Sequence, residues 1–339
     1  WDKRPDGQRR KAALAENAGG TGGYLIPPQF QAEMLTIEAE ESFIQPRCRI
    51  VPMTTRSFTW PVLDITTVQA SGVSPYYGGI IGTWLPEGVL FNQTKPGFTL
   101  SEWTAWDLTM FCIASNQLLA DNGVGLDAIL TQLFGGAMTW YKEFAFIQGL
   151  GAGSSMPLGV LNSTATILQS RNTPGRFLLA DAAAMLSHLQ ARSRDSACWI
   201  IHQSVLPQLI QMVDGGFAAS AASASFPAGN RPMWLSPMGA NGEGALAMKL
   251  PDTFLHGLPL YVTEKLPTLG TTGDVLLVDW SKYVIGQRME IQIDLSSHFL
   301  FQTNQIAYRV VARCDGRPWL RSAITDQAGW QVSPFLALK

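Results

Sequence analysis

The sequence runs to 339 residues, with 24 Lys and Arg against 26 Asp and Glu. The net charge of −2 excludes a global basic field for recruiting nucleic acid. Charged residues make up only 15 per cent, below the usual quarter or so, and 11 Trp and 20 Pro accompany abundant Gly, Ser, Thr, Gln and Asn. That composition predicts neutral surface that meets other protein, although a low-charge globular enzyme has the same make-up. No run of about 18 apolar residues is present to span a membrane. Cys48, Cys112, Cys198 and Cys314 stand far apart with no CxxC pair, which predicts reduced, mostly buried thiols rather than a disulfide framework or zinc site. No cofactor or metal is called for.

The chain starts at Trp1 with neither Met nor a signal-like apolar run, so a trimmed start or an omitted upstream segment is expected. Over residues 1–23, Lys3, Arg4, Arg9, Arg10 and Lys11 outweigh Asp2 and Asp6 before a glycine-rich hinge. Such a segment reads either as a solvated tail or as an arm lying on a neighbouring subunit or an anionic surface. Pro27 and Pro28 suit the start of a helix over 29–42, and residues 46–53 turn strand-like.

Residues 54–97 differ from both neighbours. A strand, SFTWPVL, leads into a stretch rich in Gly, Pro and Ser that carries Tyr76, Tyr77, Ile80, Ile81 and Trp84. A long loop of this kind inside a compact unit is functional or misassigned, and its aromatics imply a partner surface. Residues 98–115 read as one long strand, and 115–121 as a short helix.

The helix over 125–149 organises the chain. Leu126, Leu130, Leu133, Ala137, Trp140, Phe144 and Ile147 recur at helical spacing, and only Asp127, Lys142 and Glu143 are charged. Gly135 and Gly136, each costing about 1 kcal/mol against Ala, suggest close packing or a bend.

Beyond it, Asp181 is placed as N-cap of a helix over 182–194, followed by a strand at 199–201 and a helix over 204–213. Residues 215–229 read as a mobile surface loop. Strands are expected at 258–263, 275–278, 283–285, 290–294 and 305–314, with DGRP at 315–318 as a turn.

The search for catalytic chemistry is negative. HExxH, GxSxG and a P-loop are absent, and Gly149, Gly151 and Gly153 follow a helix rather than a strand, which makes them a helix stop. His188, His202, His256 and His298 stand alone. The carboxylates Asp107 and Glu102 leave a soluble β-rich hydrolase as a rival, which would require an acidic pocket.

Six stretches, in order, resemble the major capsid proteins of tailed double-stranded-DNA bacteriophages, the Hong Kong 97 fold. They are GGYLIPPQF at 22–30, TWLPEG at 83–88, SNQLLAD at 115–121, MPLGVLN at 156–162, HGLPLYVTEKLP at 256–267 and YRVVARCDGRP at 308–318. Gln117 stands where the family usually has Glu.

The resemblance implies an α+β fold with an N-terminal arm (1–29), a peripheral domain (30–53, 98–174 with the spine helix 125–149, and 281–339), an extended β-hairpin loop (54–97) and an axial domain (175–280). It also implies pentamers and hexamers of the chain, nonspecifically packaged double-stranded DNA, and a scaffolding segment, portal and decoration proteins as partners. The location would be the virion capsid, assembled in the bacterial cytoplasm, with no membrane. Tyr76, Tyr77, Trp84, Glu87 and Lys95 in the loop, with the basic residues of the arm, become the expected contacts between subunits. Some relatives weld subunits by a Lys–Asn isopeptide bond, for which Lys95 and Asn304 are the candidates. An encapsulin-type compartment shares the fold and is the nearer alternative.

Overall fold

The computed structural model describes residues 42–64, 75–90, 93–121, 126–210, 253–326 and 328–339. The basic residues Lys3, Arg4, Arg9, Arg10 and Lys11, the expected helix over 29–42 apart from its last residue, and the expected loop 215–229 lie outside them.

Two sheets divide the described chain. In the first, β1 (Arg49–Pro52), β10 (Tyr283–Leu300), β11 (Gln305–Pro318) and β4 (Trp106–Ser115) are ordered β1-β10-β11-β4. In the second, β5 (Ile167–Gln169), β14 (Phe335–Leu338), β9 (Val275–Val278), β6 (Cys198–His202), β8 (Leu258–Thr263) and β7 (Thr253–Leu255) are ordered β5-β14-β9-β6-β8-β7. A hairpin of β2 (Ser57–Leu63) and β3 (Phe98–Thr104) and a small pair, β12 (Ile324–Thr325) with β13 (Gln331–Val332), complete the strands. The helices are α1 (Asn116–Asp121), α2 (Leu126–Gln148), α3 (Leu179–His188) and α4 (Leu206–Ile210).

The six-stranded sheet is buried on both faces, because successive strand residues point to opposite sides. Cys198, Ile200, Leu276, Val278, Phe335 and Ala337 join one core with Phe146 and Ile147 of α2. Trp199, Ile201, Val275, Leu277, Leu336 and Leu338 face the other core, with Met185 of α3 and Leu209 of α4. A third, smaller cluster seats Met138 of α2 on Val310 and Ala312 of β11.

Several expectations are corrected. Residues 98–115 form two strands, not one: β3 stays in the hairpin and β4 leaves for the four-stranded sheet after the buried Ala105. DGRP continues β11 instead of turning, pairing with β10 as far as Pro318↔Tyr283. Gly316 makes room for the neighbouring strand's aromatic ring there, since a Cβ would lie 2.6 Å from Tyr283 Oη. The strands expected at 283–285 and 290–294 are one strand, β10, bent by register irregularities at 287–289 and 289–292.

Asp181 sits three residues inside its helix boundary rather than at the cap. Its Oδ2 accepts the Leu178 N–H at 2.9 Å, and Oδ1 accepts both Asn172 N and Nδ2 at 2.9 Å. Residues 281–339 were grouped with the spine-helix sheet, yet β14 pairs with β9 and β5 in the other sheet.

The spine helix α2 also faces differently from the expected stripe. Leu133, Tyr141 and Phe144 are exposed, whereas the charged pair Lys142 and Glu143 is buried. Glu143 Oε2 accepts Lys265 Nζ at 2.7 Å, and Oε1 accepts Ser42 Oγ at 2.7 Å and Ile44 N at 3.0 Å. Gln148 adds a bond from Nε2 to Lys265 O at 2.6 Å. A buried charge needs this full set of partners to be tolerated.

Close packing does not explain the paired glycines. A Cβ built at Gly135 or Gly136 meets nothing within 4 Å, and Gly136 is exposed. Gly136→Ala should therefore stabilise the unassembled subunit by about 1 kcal/mol, read as a higher melting temperature; a lower one would show a contact within the subunit.

Candidate assembly surfaces

The hairpin of β2 and β3 is anchored at its root and bare at its tip. At the root Trp103 is buried and stacks on Phe58 with centroids 5.0 Å apart, while Arg49 lies over Trp60 at 4.8 Å. Arg321 donates from Nη1 to Thr99 Oγ1 at 2.8 Å and from Nη2 to Leu100 O at 2.7 Å. Arg317 donates to Glu102 O. Asp315 of β11 accepts the Thr104 N–H at 2.9 Å, where the hairpin hands over to β4, and the Gly316 N–H at 2.8 Å.

Burial raises the Asp315 carboxyl from 3.8 to about 6, against the opposing pull of those two N–H groups and Arg317. A folded-state pKa above the unfolded value means the folded protein holds the proton more tightly. The resulting stability is full below about 3.8 and is lost as pH rises through about 6. Between pH 4 and pH 7 the parent should therefore lose on the order of 3 kcal/mol of stability relative to Asp315→Asn. Denaturant melts at both pH values check this; a pH-independent difference would refute it.

Beyond the root the chain passes through Asp64, whose N–H donates to Gly97 O at 2.9 Å, and reaches a three-residue turn at Pro75–Tyr77. Tyr76, Tyr77, Ile80 and Ile81 are exposed, Leu90 is 89 % exposed, and Trp84 is wholly so. Glu87 and Lys95 are exposed as well, and Glu87 has no ion-pair partner among the described residues.

Two other surfaces carry uncovered apolar side chains. One is the far end of the four-stranded sheet, where Phe111, Ile113, Leu295, Phe299 and Phe301 are exposed and Phe111 meets Phe299 edge-on at 5.8 Å. The other is the outer face of α2, where Trp140 stacks on Phe144 at 5.4 Å and donates from Nε1 to Glu264 at 2.8 Å. Patches of this kind mark protein interfaces more often than ligand sites.

A sequence model of the phage capsid family matches residues 22–325. The chain belongs to the phage capsid family.

Solved structures agree with that placement at the level of fold. The capsid of a native GTA particle computed with C5 symmetry superposes with a TM-score of 0.68 at 17 % identity, covering 96 % of this chain and 99 % of that one. The structure of Microbacterium phage Oxtober96 gives 0.65 at 15 %, with 96 % and 99 % covered. That of Gordonia phage Cozz gives 0.61 at 15 %, with 100 % and 99 % covered. No curated protein matches the sequence. The capsid protein is thus a structural protein with the α+β capsid fold expected from the six short motifs.

The chemistry sought by the hydrolase reading is not assembled. Asp107 is tied to Arg313, with Nη2 donating to Oδ2 at 3.1 Å, and the cavity it lines holds arginines rather than a second carboxylate. Among the described residues no cluster of His, Cys, Asp or Glu could hold a metal ion, and no helix is long and apolar enough to cross a membrane. The four cysteines are free; burial pushes the Cys198 thiol up to about 12 and Cys314 to about 11. Asn304 lies in a turn with φ 54°, and its Oδ1 accepts Asn116 Nδ2 at 2.6 Å, so its amide is engaged within the subunit.

Sequence reasoning missed the exposed sheet end and the outward aromatics of α2. Phe111 and Ile113 alternate with Met110 and Cys112, so both faces of β4 are apolar there and spacing alone does not say which one is uncovered.

Proposed function

We propose that this capsid protein builds a closed icosahedral shell from pentamers and hexamers of itself, and that the shell encloses double-stranded DNA in the virion. The observation that carries the reading is the anchored hairpin whose tip, centred on Trp84, has no cover from its own subunit. An indole left in water is costly, and insertion into another subunit removes that cost. Residues 54–97 then act as the extended loop, the six-stranded sheet with α3 and α4 as the axial domain, and the four-stranded sheet with α2 as the peripheral domain.

The basic residues near the N-terminus serve as an arm across neighbours. DNA is retained by confinement and nonspecific electrostatics, which needs no base-reading element. Assembly takes place in the bacterial cytoplasm. Scaffolding, portal and decoration proteins complete the set of partners.

The test is size-exclusion chromatography and electron microscopy of the purified protein, with Trp84→Ala beside it. The parent should form shells or capsomers. The variant should lose about 2 kcal/mol or more per contact and fall back toward smaller species, while the subunit's own melting temperature stays within a degree or two. A parent that remains monomeric at assembly concentrations would overturn the reading.

A further inference from the structure

A cavity of about 360 Å³ opens at the root of the hairpin, where β2 faces the edge strand β1 and the start of β10. Its volume is that of a small-ligand site. Trp60, Trp103 and Trp319 supply indole walls, Arg49 and Lys282 supply charge, and no acidic side chain lines it.

The groups around it carry unmet demands. Trp103 is fully buried and stacked on Phe58, yet its Nε1–H has no acceptor among the described residues. A buried donor left in that state calls for an acceptor. Arg49 lies over the Trp60 ring at 4.8 Å. A guanidinium stacked in this way keeps its N–H fork, which lies in its own plane, for a second partner. Lys282 is half-buried and ends the short turn Trp280–Lys282. Asp279 holds that turn, because its Oδ1 accepts Ser281 N at 3.1 Å and Ser281 Oγ at 2.7 Å. Trp319 N donates to Lys282 O at 3.3 Å, which brings the third indole's residue to the same turn. Neither Arg49 nor Lys282 has an ion pair or a side-chain hydrogen bond among the described residues.

Charge and shape together specify a ligand. Two cations with no carboxylate beside them match a phosphate monoester, which carries about −1.5 to −2 at pH 7. Trp319 stacks on no other ring among the described residues, so a planar base has a platform there. We infer that the cavity binds a nucleotide, with its phosphate at Arg49 and Lys282 and its base against Trp319. The Trp103 N–H then gains an acceptor. The bound nucleotide bridges β1, β2, the turn before β10 and the residue after β11, and so stiffens the root from which the hairpin projects. A free mononucleotide and an unpaired nucleotide of a DNA strand present the same chemistry. The site belongs to one subunit and does not depend on the shell reading.

The experiment titrates the full chain calorimetrically with deoxyadenosine monophosphate, and with deoxyadenosine and inorganic phosphate as its two halves. The monophosphate should bind once per chain and at least roughly tenfold more tightly than either half. Arg49→Ala and Lys282→Met should each weaken it roughly tenfold while melting like the parent. Acetylation of the unaltered chain, read by mass spectrometry, locates the site without any variant: the nucleotide should protect Lys282 and leave the exposed Lys95 reactive.

A single-stranded deoxyadenosine oligomer in the same assay separates the two sources. Whichever of the monophosphate and the oligomer protects Lys282 at the lower nucleotide concentration names the natural ligand. Three results would overturn the site: no protection of Lys282 by either, protection by inorganic phosphate alone as good as by the nucleotide, or binding unchanged in both variants. None of them bears on the shell, which the assembly of the parent decides separately.

Discussion

Glu143→Gln should bring the subunit to the edge of unfolding. Glu143 and Lys265 are both essentially without solvent, and their ion pair is 2.7 Å long. Removing one charge takes from the other, buried one its partner at 2.7 Å, which costs about 3–5 kcal/mol, a large part of a typical domain's stability. Lys265→Met should cost a similar amount for the mirror-image reason.

The double variant Glu143→Leu with Lys265→Met should recover part of the loss, since two apolar side chains of similar volume need no counter-charge. Recovery should be incomplete, because Ile44 N and Ser42 Oγ then lose their acceptor. An orphaned buried N–H alone costs about 1–3 kcal/mol. Chemical denaturation of the unassembled subunits measures all three; single variants within about 1 kcal/mol of the parent would show that water reaches the pair.

The second large effect is expected at the C-terminal end of the spine helix. Gly149 N donates to Ala145 O, Gly159 N donates to Gly149 O at 2.9 Å, and Gly151 N donates to Pro157 O at 3.1 Å. The two backbone segments are therefore in direct contact. A Cβ on Gly149 would lie 2.2 Å from Pro157 O and 2.4 Å from Ala145 O, and one on Gly159 would lie 2.4 Å from Gly149 N. These neighbours are main-chain atoms of a hydrogen-bonded turn and cannot rotate away. Gly149→Ala and Gly159→Ala should each cost about 3 kcal/mol or more, comparable to overpacking a core. Gly153→Ala, in the same glycine series but with nothing within 4 Å, is the control and should melt within a degree or two of the parent. Equal melting of all three would refute the close approach.

That contrast also shows what a sequence can and cannot disclose. Helical periodicity located α2 to within a residue at each end, and apolar runs located β8 and β9 at their observed bounds. These segments obey local rules. The glycines sorted the wrong way: close packing or a bend was expected at Gly135 and Gly136, where a Cβ meets nothing within 4 Å, and only a helix stop at Gly149, where it meets other backbone.

The burial of Lys142 and Glu143 was not legible, since nothing local announces that Lys265, far along the chain, will pair with Glu143. Asp315-Gly316 carried a turn's composition but serves a close approach of Tyr283. Phe335–Leu338 is a short apolar run with no periodicity of its own, so its place between β9 and β5 depended on partners elsewhere. For the assembly surface, Trp84, Tyr76 and Tyr77 were legible from their residue types in a Gly/Pro-rich loop. The cavity walled by Arg56, Arg288 and Arg313 was not, because the segment before β2 and the strands β10 and β11 reach it from distant parts of the sequence.

The strand orders of the two sheets carry a kinetic consequence. Among the described residues β5 is held only by β14, and β1 only by β10, each across a long separation in sequence. The entropy of closing such large loops must be met before the pairing returns any stability, so these contacts form late and set the folding rate. The β2–β3 hairpin closes a much shorter loop and forms early. The subunit therefore passes through a stage in which the projecting hairpin exists while both sheets still have open edges, the stage most prone to wrong pairing between nascent copies.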